Sequence, residues 1–223
     1  GGNPSLQPYL ADNFDLAAEW YYQRNSYASV NFFIKDVSNF VVAGTQRQTI
    51  NGVVDPTTGA PAVFTVSQRV NGPSATIKGV ELAWQHGFNA NATFVKTNKP
   101  YDETDLSQSG FAVTGLANSA NLVAFYDKSG FQFRTAVNWR DKYLREFGQV
   151  QNNSAFGAEP TFVNSSLQVD LSSSYQINER ISVFGEALNI TNETISTHGR
   201  FSNQLLDVYA YGRRFTLGAR YRF

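Results

Sequence analysis

Side chains alternate between apolar and polar along the last residues of the chain, 216–223. One parity carries Phe215, Leu217, Ala219, Tyr221 and Phe223, and the other carries Arg214, Thr216, Gly218, Arg220 and Arg222. A period of two residues predicts a β-strand with one apolar and one polar face. In a transmembrane barrel the apolar face of such a strand meets lipid and its polar face meets the lumen. An ordinary terminal strand of a soluble β-protein has the same period, so this stretch alone leaves both interpretations open.

Composition narrows the classes of protein that fit. The 223 residues have a formal net charge of +0, contain no Cys and no Met, and have a mean hydropathy of −0.32. The charge balance does not indicate a nucleic-acid partner, and the lack of Cys excludes disulfides and thiolate chemistry. No run approaches the roughly 20 apolar residues that a membrane helix requires. An exported chain needs a signal peptide, so we expect one to have been cleaved or to lie on a longer natural chain.

Further segments with a period of two residues predict a sheet of about nine strands. They lie at residues 14–22, 28–40, 63–85, 90–95, 120–126, 131–143, 166–177, 181–190 and 216–223. A break is expected within 63–85, at Asn71-Gly72-Pro73. The alternation is blurred at 185–189, which favours a β-bulge there. We therefore expect an all-β, antiparallel meander.

The connections between the predicted strands alternate in length. Short turns fall near residues 24, 87, 129 and 179, and long loops fall near 52, 105, 154 and 202. Aromatic residues gather at the short-turn ends, namely Trp20, Tyr22, Trp84, Tyr126, Phe131, Tyr175, Tyr221 and Phe223. A second group is expected at the long-loop ends: Phe40, Trp139, Tyr143 and Phe215. Transmembrane barrels have short periplasmic turns, long extracellular loops and aromatic girdles. A β-sandwich has no reason to sort its loops and aromatics in this way, so the sequence predicts an antiparallel transmembrane β-barrel segment.

The polar faces of the predicted strands carry charges of both signs. Ten side chains are expected to face the lumen of a barrel: Asp15, Glu19, Lys35, Glu81, Arg134, Asn138, Arg140, Asp170, Arg220 and Arg222. Unpaired charge is costly when it is buried, so such a wall must be wet or must pair with something inside. A large lumen filled by water or by a plug fits this set, whereas a small packed barrel would need networks among these charges.

Several stretches resemble the TonB-dependent receptors of bacterial outer membranes. The opening is similar to that family's pattern of Asn-Pro, Leu-x-Pro and Asn-aromatic-Asp-Leu-x-x-Glu, at Asn3-Pro4, Leu6-Gln7-Pro8 and residues 13–19. Similar stretches lie at residues 78–81, 139–144, 186–192 and 211–218. The resemblance implies a barrel of about 22 strands closed by a plug. Residues 1–223 would be its C-terminal portion, without the plug, and an open curved sheet if seen alone.

The end of the chain also resembles the C-terminal signal of bacterial outer-membrane barrels. Thr216, Gly218, Tyr221 and Phe223 occupy that signal's polar, glycine and two aromatic positions. In such barrels the strand is read by the barrel-assembly machinery. The resemblance therefore implies this machinery as a partner, and the outer membrane of a Gram-negative bacterium as the location.

The function implied by the resemblance is transport rather than catalysis. TonB-dependent receptors take up a scarce ligand, such as an iron chelate, cobalamin or an oligosaccharide, with energy transmitted through TonB. The implied partners are outer-membrane lipid, the receptor's own plug and N-terminal strands, TonB and a small-molecule ligand, with no cofactor and no nucleic acid. The alternative is a complete small outer-membrane barrel, structural or porin-like, which an upstream plug domain would exclude. A soluble carbohydrate-binding β-protein is a more distant alternative.

Candidate ligand-binding residues lie in the long loops, namely Phe156, His198, Arg200 and Asn203. Aromatic, amide and charged side chains can stack on and hydrogen-bond sugars or chelates, although these types are also ordinary in loops.

No catalytic or metal site is predicted. The two histidines, His86 and His198, fall at a short turn and in a long loop, so no catalytic constellation has legible spacing. Carboxylates at Asp102, Glu103 and Asp105 are of the type that binds Ca²⁺. A solvated loop is the simpler interpretation of that cluster.

Overall fold

The computed structural model describes residues 2–104, 112–148 and 159–223, without the side chains of residues 43, 45, 46, 65 and 67. The regular structure of the described residues is β-strand throughout. Over these residues we find no helix with the length and apolar character needed to span a membrane. The strands, in chain order, are β1 (Leu10–Gln23), β2 (Ser26–Ser38), β3 (Val41–Val54), β4 (Pro61–Asn71), β5 (Ala75–Gln85), β6 (Phe88–Thr97), β7 (Ser119–Lys128), β8 (Phe131–Arg140), β9 (Tyr143–Phe147), β10 (Pro160–Val163), β11 (Ser166–Gln176), β12 (Ile181–Leu188), β13 (Ile195–His198), β14 (Leu205–Tyr209) and β15 (Arg214–Tyr221).

Nine strands form one open antiparallel sheet, in the order β1-β2-β5-β6-β7-β8-β11-β12-β15. Each strand pairs with the next in this order, so the sheet is a meander with β1 and β15 at its edges. The predicted all-β antiparallel architecture is confirmed. Six further strands form two smaller sheets, β3-β4 and β14-β13-β10-β9.

The turns at one end of the nine-stranded sheet are as short as predicted. Between β7 and β8, Lys128 pairs with Phe131 across a two-residue turn of Ser129 and Gly130, whose φ angles are 55° and 78°. Positive φ at both central residues is the signature of a type I′ turn, whose twist matches that of the flanking strands. The connections at the other end are long, and both smaller sheets are built from them. We call the two ends the short-turn end and the long-loop end.

The long connections contain more strand than the sequence analysis predicts. The break expected within residues 63–85 is confirmed, because β4 ends at Asn71 and β5 begins at Ala75. Pro73 lies between them and has no N–H with which to continue a ladder. β4 pairs instead with β3, which occupies residues predicted as loop. Likewise, β9 with β10, and β13 with β14, lie largely within the two later predicted loops.

The bulge predicted at residues 185–189 is wrong. The register between β12 and β15 is continuous from Ile181 opposite Tyr221 to Leu188 opposite Arg214. The alternation is blurred for another reason. Phe184 lies against Gly218 on one face, so an apolar ring occupies a position where a polar residue is expected.

The β3-β4 hairpin is tied to the segment that precedes β1. The Asn71 Nδ2 donates to the carbonyl oxygens of Gln7 at 2.9 Å and of Asn39 at 3.0 Å, and its Oδ1 accepts from the Gln7 nitrogen at 2.7 Å. The side chain of Asn39 donates to the Pro8 carbonyl oxygen at 3.0 Å. These bonds fix the base of the hairpin at the long-loop end of the sheet.

Candidate functional site

Strand pairing divides the nine-stranded sheet into two faces. Residues directly opposite each other on antiparallel strands point to the same face, so the register connects each face across the sheet. Apolar pairs on one face include Leu16↔Phe32, Val30↔Leu82, Leu122↔Val137 and Val137↔Val169. Polar pairs on the other include Asn31↔Glu81, Asn91↔Asn121 and Asn138↔Gln168. We call these the apolar face and the polar face.

The apolar face is open to its surroundings. Trp20 is 67% exposed and Leu217 is 89% exposed, and both belong to a continuous apolar surface that crosses all nine strands. Monomeric soluble proteins rarely expose contiguous apolar patches larger than a few hundred Å². This face therefore needs an apolar medium or an apolar partner.

The residues predicted to face a lumen come together on the polar face. Cross-strand pairing assigns to it Asp15, Glu19, Lys35, Glu81, Arg134, Asn138, Arg140, Asp170 and Arg220. Arg222 has the same parity and follows the end of β15. Asp170 is half-buried and the other nine are exposed. In the described part of the chain the ion pairs within 4.0 Å are Arg145–Glu146 and Arg200–Glu159, so none of these charges forms one there.

A basin of about 660 Å³ lies on the polar face toward the short-turn end. Arg134, Glu186 and Arg220 line it, together with the hydroxyl-bearing Ser172 and Ser174. Glu186 pairs with Ser172 across the sheet, yet it is absent from the sequence-predicted set because the blurred alternation of β12 hides its face. The basin presents two cations, two anions (Glu186 and Asp127) and hydroxyl groups, which suits water or a polar partner.

Two aromatic rings on the polar face lie against glycines of the neighbouring strand. A Cβ added to Gly79 would lie 2.6 Å from Cζ of Phe33, and one added to Gly218 would lie 2.6 Å from Cε1 of Phe184. Only glycine leaves room for the ring in this cross-strand arrangement. Gly218, predicted from its position near the end of the chain, thus has a local packing role as well.

Asn189 organises the base of the last long loop and was not singled out from the sequence. Its φ is 55°, and its Nδ2 donates to the carbonyl oxygens of Glu193 at 3.0 Å and of Gly212 at 3.1 Å. Its Oδ1 accepts from the Glu193 nitrogen at 2.7 Å. Its own backbone nitrogen donates to Asp170 Oδ1 at 2.8 Å. One side chain thereby joins the two arms of the loop.

The four-stranded sheet joins two long loops through its central pair, β10 and β13. Phe162 pairs with His198, and their rings stack with centroids 5.1 Å apart at 15°. Phe162 also packs with Leu144 and Ala112, with Tyr101 and Phe147 at the edge of this cluster. The result is a small hydrophobic core outside the main sheet, which we call the loop core.

The predicted ligand-binding residues do not come together at one surface. His198 and Arg200 are 1% and 4% exposed, within and beside the loop core. Arg200 forms an ion pair of 3.3 Å with Glu159. Asn203 is exposed in the turn that follows, and Phe156 lies outside the described residues. In this arrangement His198 and Arg200 shape the loops from inside.

Tyr101 connects the loop core to an open groove of about 490 Å³. Burial raises the pKa of the Tyr101 hydroxyl, against the lowering influence of the Arg200 guanidinium. The groove is also lined by Lys96, Glu103 and Lys142. A neutral phenol, two ammonium groups and one carboxylate therefore meet at the long-loop end of the sheet.

The described members of the carboxylate cluster, Asp102 and Glu103, are not part of a group that could hold a metal ion. Asp102 Oδ1 accepts from the backbone nitrogen of Thr104 at 2.9 Å and from its hydroxyl at 2.6 Å, which is a local turn. Asp105 lies outside the described residues. Across residues 2–104, 112–148 and 159–223, no group of three or more His, Cys, Asp or Glu residues is placed to hold a metal ion.

Comparison with known proteins agrees with this architecture. The family model described as TonB dependent receptor-like, beta-barrel, matches residues 1–190. The chain belongs to this family. A search of curated proteins found no match for this chain.

Three solved receptor structures share the fold of this chain. The siderophore receptor PirA of Acinetobacter baumannii has 19% identity and a TM-score of 0.60, over 98% of this chain. A mutant of the ferric enterobactin receptor PfeA of Pseudomonas aeruginosa has 14% identity and a TM-score of 0.60, over 99%. The pyoverdine outer membrane receptor FpvA of P. aeruginosa, bound to pyoverdine, has 16% identity and a TM-score of 0.57, over 98%. The chain spans 32%, 32% and 30% of these three structures.

The four residues of the predicted assembly signal lie in β15 and just after it. Thr216 and Gly218 lie on the polar face, opposite Glu186 and Phe184. Tyr221 lies on the other face, and its ring meets that of Phe223 edge-on at 5.1 Å. Because β15 pairs only with β12 in the described chain, its outer edge is open.

Proposed function

We propose that this chain forms part of the barrel of a TonB-dependent receptor in the outer membrane of a Gram-negative bacterium. The observation that carries the proposal is the nine-stranded antiparallel meander with one apolar and one polar face, in a chain of this family. The apolar face would meet lipid and the polar face the lumen, as in other transmembrane barrels. The long-loop end would point outward and the short-turn end to the periplasm.

Both edges of the sheet would pair with further strands of the same receptor. Open sheet edges do not persist in lipid, because each unpaired backbone group there costs several kcal/mol. β1 and β15 do not pair with each other in the described chain, which disfavours the alternative of a complete small barrel. Residues 1–223 would then be the C-terminal portion of the barrel, and a plug from elsewhere in the receptor would cover the ten polar-face residues. TonB would act on that other part.

The ligand would be a scarce iron chelate, and a ferric siderophore is the first class to test, because the similar solved structures include siderophore receptors. Contact with it would come from exposed loop residues such as Asn203. His198 and Arg200 would set the shape of the loops, since both are buried. The barrel-assembly machinery would recognise the last strand through Thr216, Gly218, Tyr221 and Phe223.

Fractionation combined with iron uptake tests the proposal. Cells that carry the full-length gene, and cells that lack it, are grown with too little iron and given radioactive ferric enterobactin or ferric pyoverdine. We expect the protein in the outer-membrane fraction, and uptake of at least one chelate that requires both this gene and TonB. Recovery in the aqueous fraction without detergent would overturn the receptor assignment. Outer-membrane recovery without gene-dependent uptake of either chelate would overturn the proposed ligand class.

A further inference from the structure

The chain contains two Asn-Gly pairs, and the fold surrounds them differently. One is Asn51-Gly52 within β3, and the other is Asn71-Gly72 at the end of β4. Asn-Gly is the least hindered setting for deamidation, because glycine has no side chain to keep the asparagine carboxamide away from the next backbone nitrogen. Burial and hydrogen bonding therefore decide which of the two pairs can react.

Asn71-Gly72 is held in place at the base of the β3-β4 hairpin. The half-buried Asn71 side chain makes three hydrogen bonds to backbone groups of Gln7 and Asn39. The Gly72 nitrogen, which would be the attacking atom, donates to the Phe40 carbonyl oxygen at 2.6 Å. Both reacting groups are engaged elsewhere, so these bonds must open before the carboxamide can reach the nitrogen.

Asn51-Gly52 lies in an exposed part of β3 where the ladder is interrupted. The register jumps between Thr49 and Val54, so residues 50–53 have no opposite partner. Within the described chain the exposed Asn51 side chain makes no hydrogen bond. The φ of Gly52 is 82°, and beyond its chain neighbours no atom lies within 4 Å of the point where a Cβ would be. Surrounding residues therefore do not hold the carboxamide away from the nitrogen.

The simpler interpretation is that Asn51-Gly52 serves as a turn, since Asn-Gly is the dipeptide favoured at hairpin tips. The tip of this hairpin lies further along the chain. The Asp55 nitrogen donates to the Ala60 carbonyl oxygen at 2.8 Å, and the Gly59 nitrogen donates to that of Asp55 at 2.8 Å. The chain therefore reverses within residues 55–60, and Asn51-Gly52 is not at the reversal.

We propose that Asn51 deamidates spontaneously through a cyclic succinimide, whereas Asn71 is protected. The Gly52 nitrogen forms a bond to Cγ of Asn51, and the bond from Cγ to Nδ2 breaks. Nδ2 leaves as ammonia and takes with it the proton lost by the Gly52 nitrogen. Solvent water then opens the ring at either of its two carbonyl carbons. The products are aspartate and isoaspartate, and water is the only co-reactant.

The fold can accommodate either product. Isoaspartate adds one carbon to the main chain, and residues 50–53 can absorb it because they lie outside the ladder. The pairing that starts at Val41 opposite Asn71 is then unchanged. Each product also adds one negative charge to the hairpin of residues 41–71, which has two arginines and one aspartate. Deamidation therefore removes the net positive charge of this hairpin and leaves its base folded.

The test uses the full-length receptor, purified in detergent and incubated in warm, mildly alkaline buffer made with water enriched in heavy oxygen. Hydrolysis of the succinimide incorporates that oxygen, which separates deamidation during the incubation from deamidation during later handling. Trypsin cleaves after arginine and lysine, so it releases Asn51 in residues 48–69 and Asn71 in residues 70–78. Mass spectrometry measures the label in each peptide, and fragmentation locates it. The control variant is Asn51→Gln, whose longer side chain must close a less favourable six-membered ring.

We expect the label to enter the folded receptor at Asn51, and to enter at Asn71 about a hundredfold more slowly, because three side-chain hydrogen bonds must open there first. After unfolding in urea the two sites should react at similar rates, since the protecting contacts are gone. The Asn51→Gln variant should carry no label at residue 51 and should label at Asn71 as slowly as the unmodified receptor.

Three results would overturn the proposal. One is labelling of Asn51 and Asn71 at equal rates in the folded receptor. Another is an unlabelled Asn51 after a time in which the unfolded receptor becomes labelled. The third is label that fragmentation places at Gln48 or Gln68 instead. None of these measurements involves iron uptake or the position of the receptor in a membrane, so their outcome is independent of the proposed function.

Discussion

The carboxylate of Asp170 on β11 accepts a hydrogen bond from the backbone nitrogen of Asn189, the residue that follows β12, at 2.8 Å. This bond connects the polar face of the sheet to the base of the loop at residues 189–213. Asn189 is 7% exposed and uses its side chain to hold both arms of that loop. Asp170 on the polar face and Asn189 in the loop therefore belong to one hydrogen-bonded network.

Substitution of Asn189 should loosen this loop. Asn189→Gly retains the positive φ but loses the four hydrogen bonds of the side chain, and we expect the free energy of unfolding to fall by about 2 kcal/mol. Asn189→Ala should cost about 1 kcal/mol more, because a Cβ disfavours the left-handed conformation. Urea unfolding in detergent and limited proteolysis of residues 189–213 measure both effects. Asn89→Ala, at an exposed position of β6, is the control, and equal stability of all variants would contradict the role of Asn189.

A methyl group at Gly218 should be poorly tolerated. Gly218→Ala would bring Cβ into the ring of Phe184, and relief of such overpacking costs about 1–3 kcal/mol. We expect less folded protein, seen as a loss of the heat-modifiable band on gels. Replacing the ring as well, in Phe184→Leu with Gly218→Ala, should restore part of it. A double variant no better than the single one would mean that Gly218 matters for another reason.

Truncation of the last side chain should affect assembly more than stability. Phe223 is fully exposed, and its ring contacts the ring of Tyr221. Phe223→Ala should therefore leave the unfolding of assembled receptor unchanged within about 0.5 kcal/mol. If the barrel-assembly machinery reads this residue, the amount of folded receptor in the outer membrane falls several-fold. Leu217→Ala, which alters an exposed residue of the same strand, is the comparison, and equal outer-membrane levels of both variants would exclude the signal.

Adjacent positions on β5 should respond oppositely to charge. Leu82 lies on the apolar face and Ala83 on the polar face. Leu82→Arg would put a guanidinium into lipid and should cost about 2–4 kcal/mol if the site is near the middle of the membrane. Ala83→Arg should cost little, because the polar face would line the water-filled lumen of the proposed barrel. Folding titrations into lipid vesicles measure the difference, and similar costs at both positions would contradict the assignment of the two faces.

The nine strands of the main sheet were predictable because the sheet has one apolar face and one polar face. Side chains that alternate between the two faces produce the period of two residues visible in residues 166–177 and 131–143. Turn chemistry at Ser129 and Gly130 supplied the short hairpin. The polar-face residues were predictable from the same alternation, because they occupy every second position of each strand. Glu186 was missed because Phe184 and Gly185 interrupt the pattern around it.

The smaller sheets were not predictable by the same argument. Their strands are four to fourteen residues long and lie outside the two-faced sheet. The pairs β3-β4 and β13-β14 are local hairpins, whereas β10 pairs with β13 over a long sequence separation, as Phe162 does with His198. No local sequence pattern predicts the pairing of β10 with β13, because that pairing depends on how the two loops are brought together. The burial of His198 and Arg200 depends on the same pairing, so the sequence marked both as loop residues and could not show that they lie inside.

The pairing of β10 with β13 has a consequence for engineering and for natural variation. β10 belongs to the connection between β8 and β11, and β13 belongs to the connection between β12 and β15. The two loops share one ladder and one core, so we expect them to be exchanged usefully only as a pair. A chimaera that takes one loop from a related receptor leaves the other without its partner strand. Antibodies raised against either loop as an isolated peptide would meet a shape that the intact protein does not present.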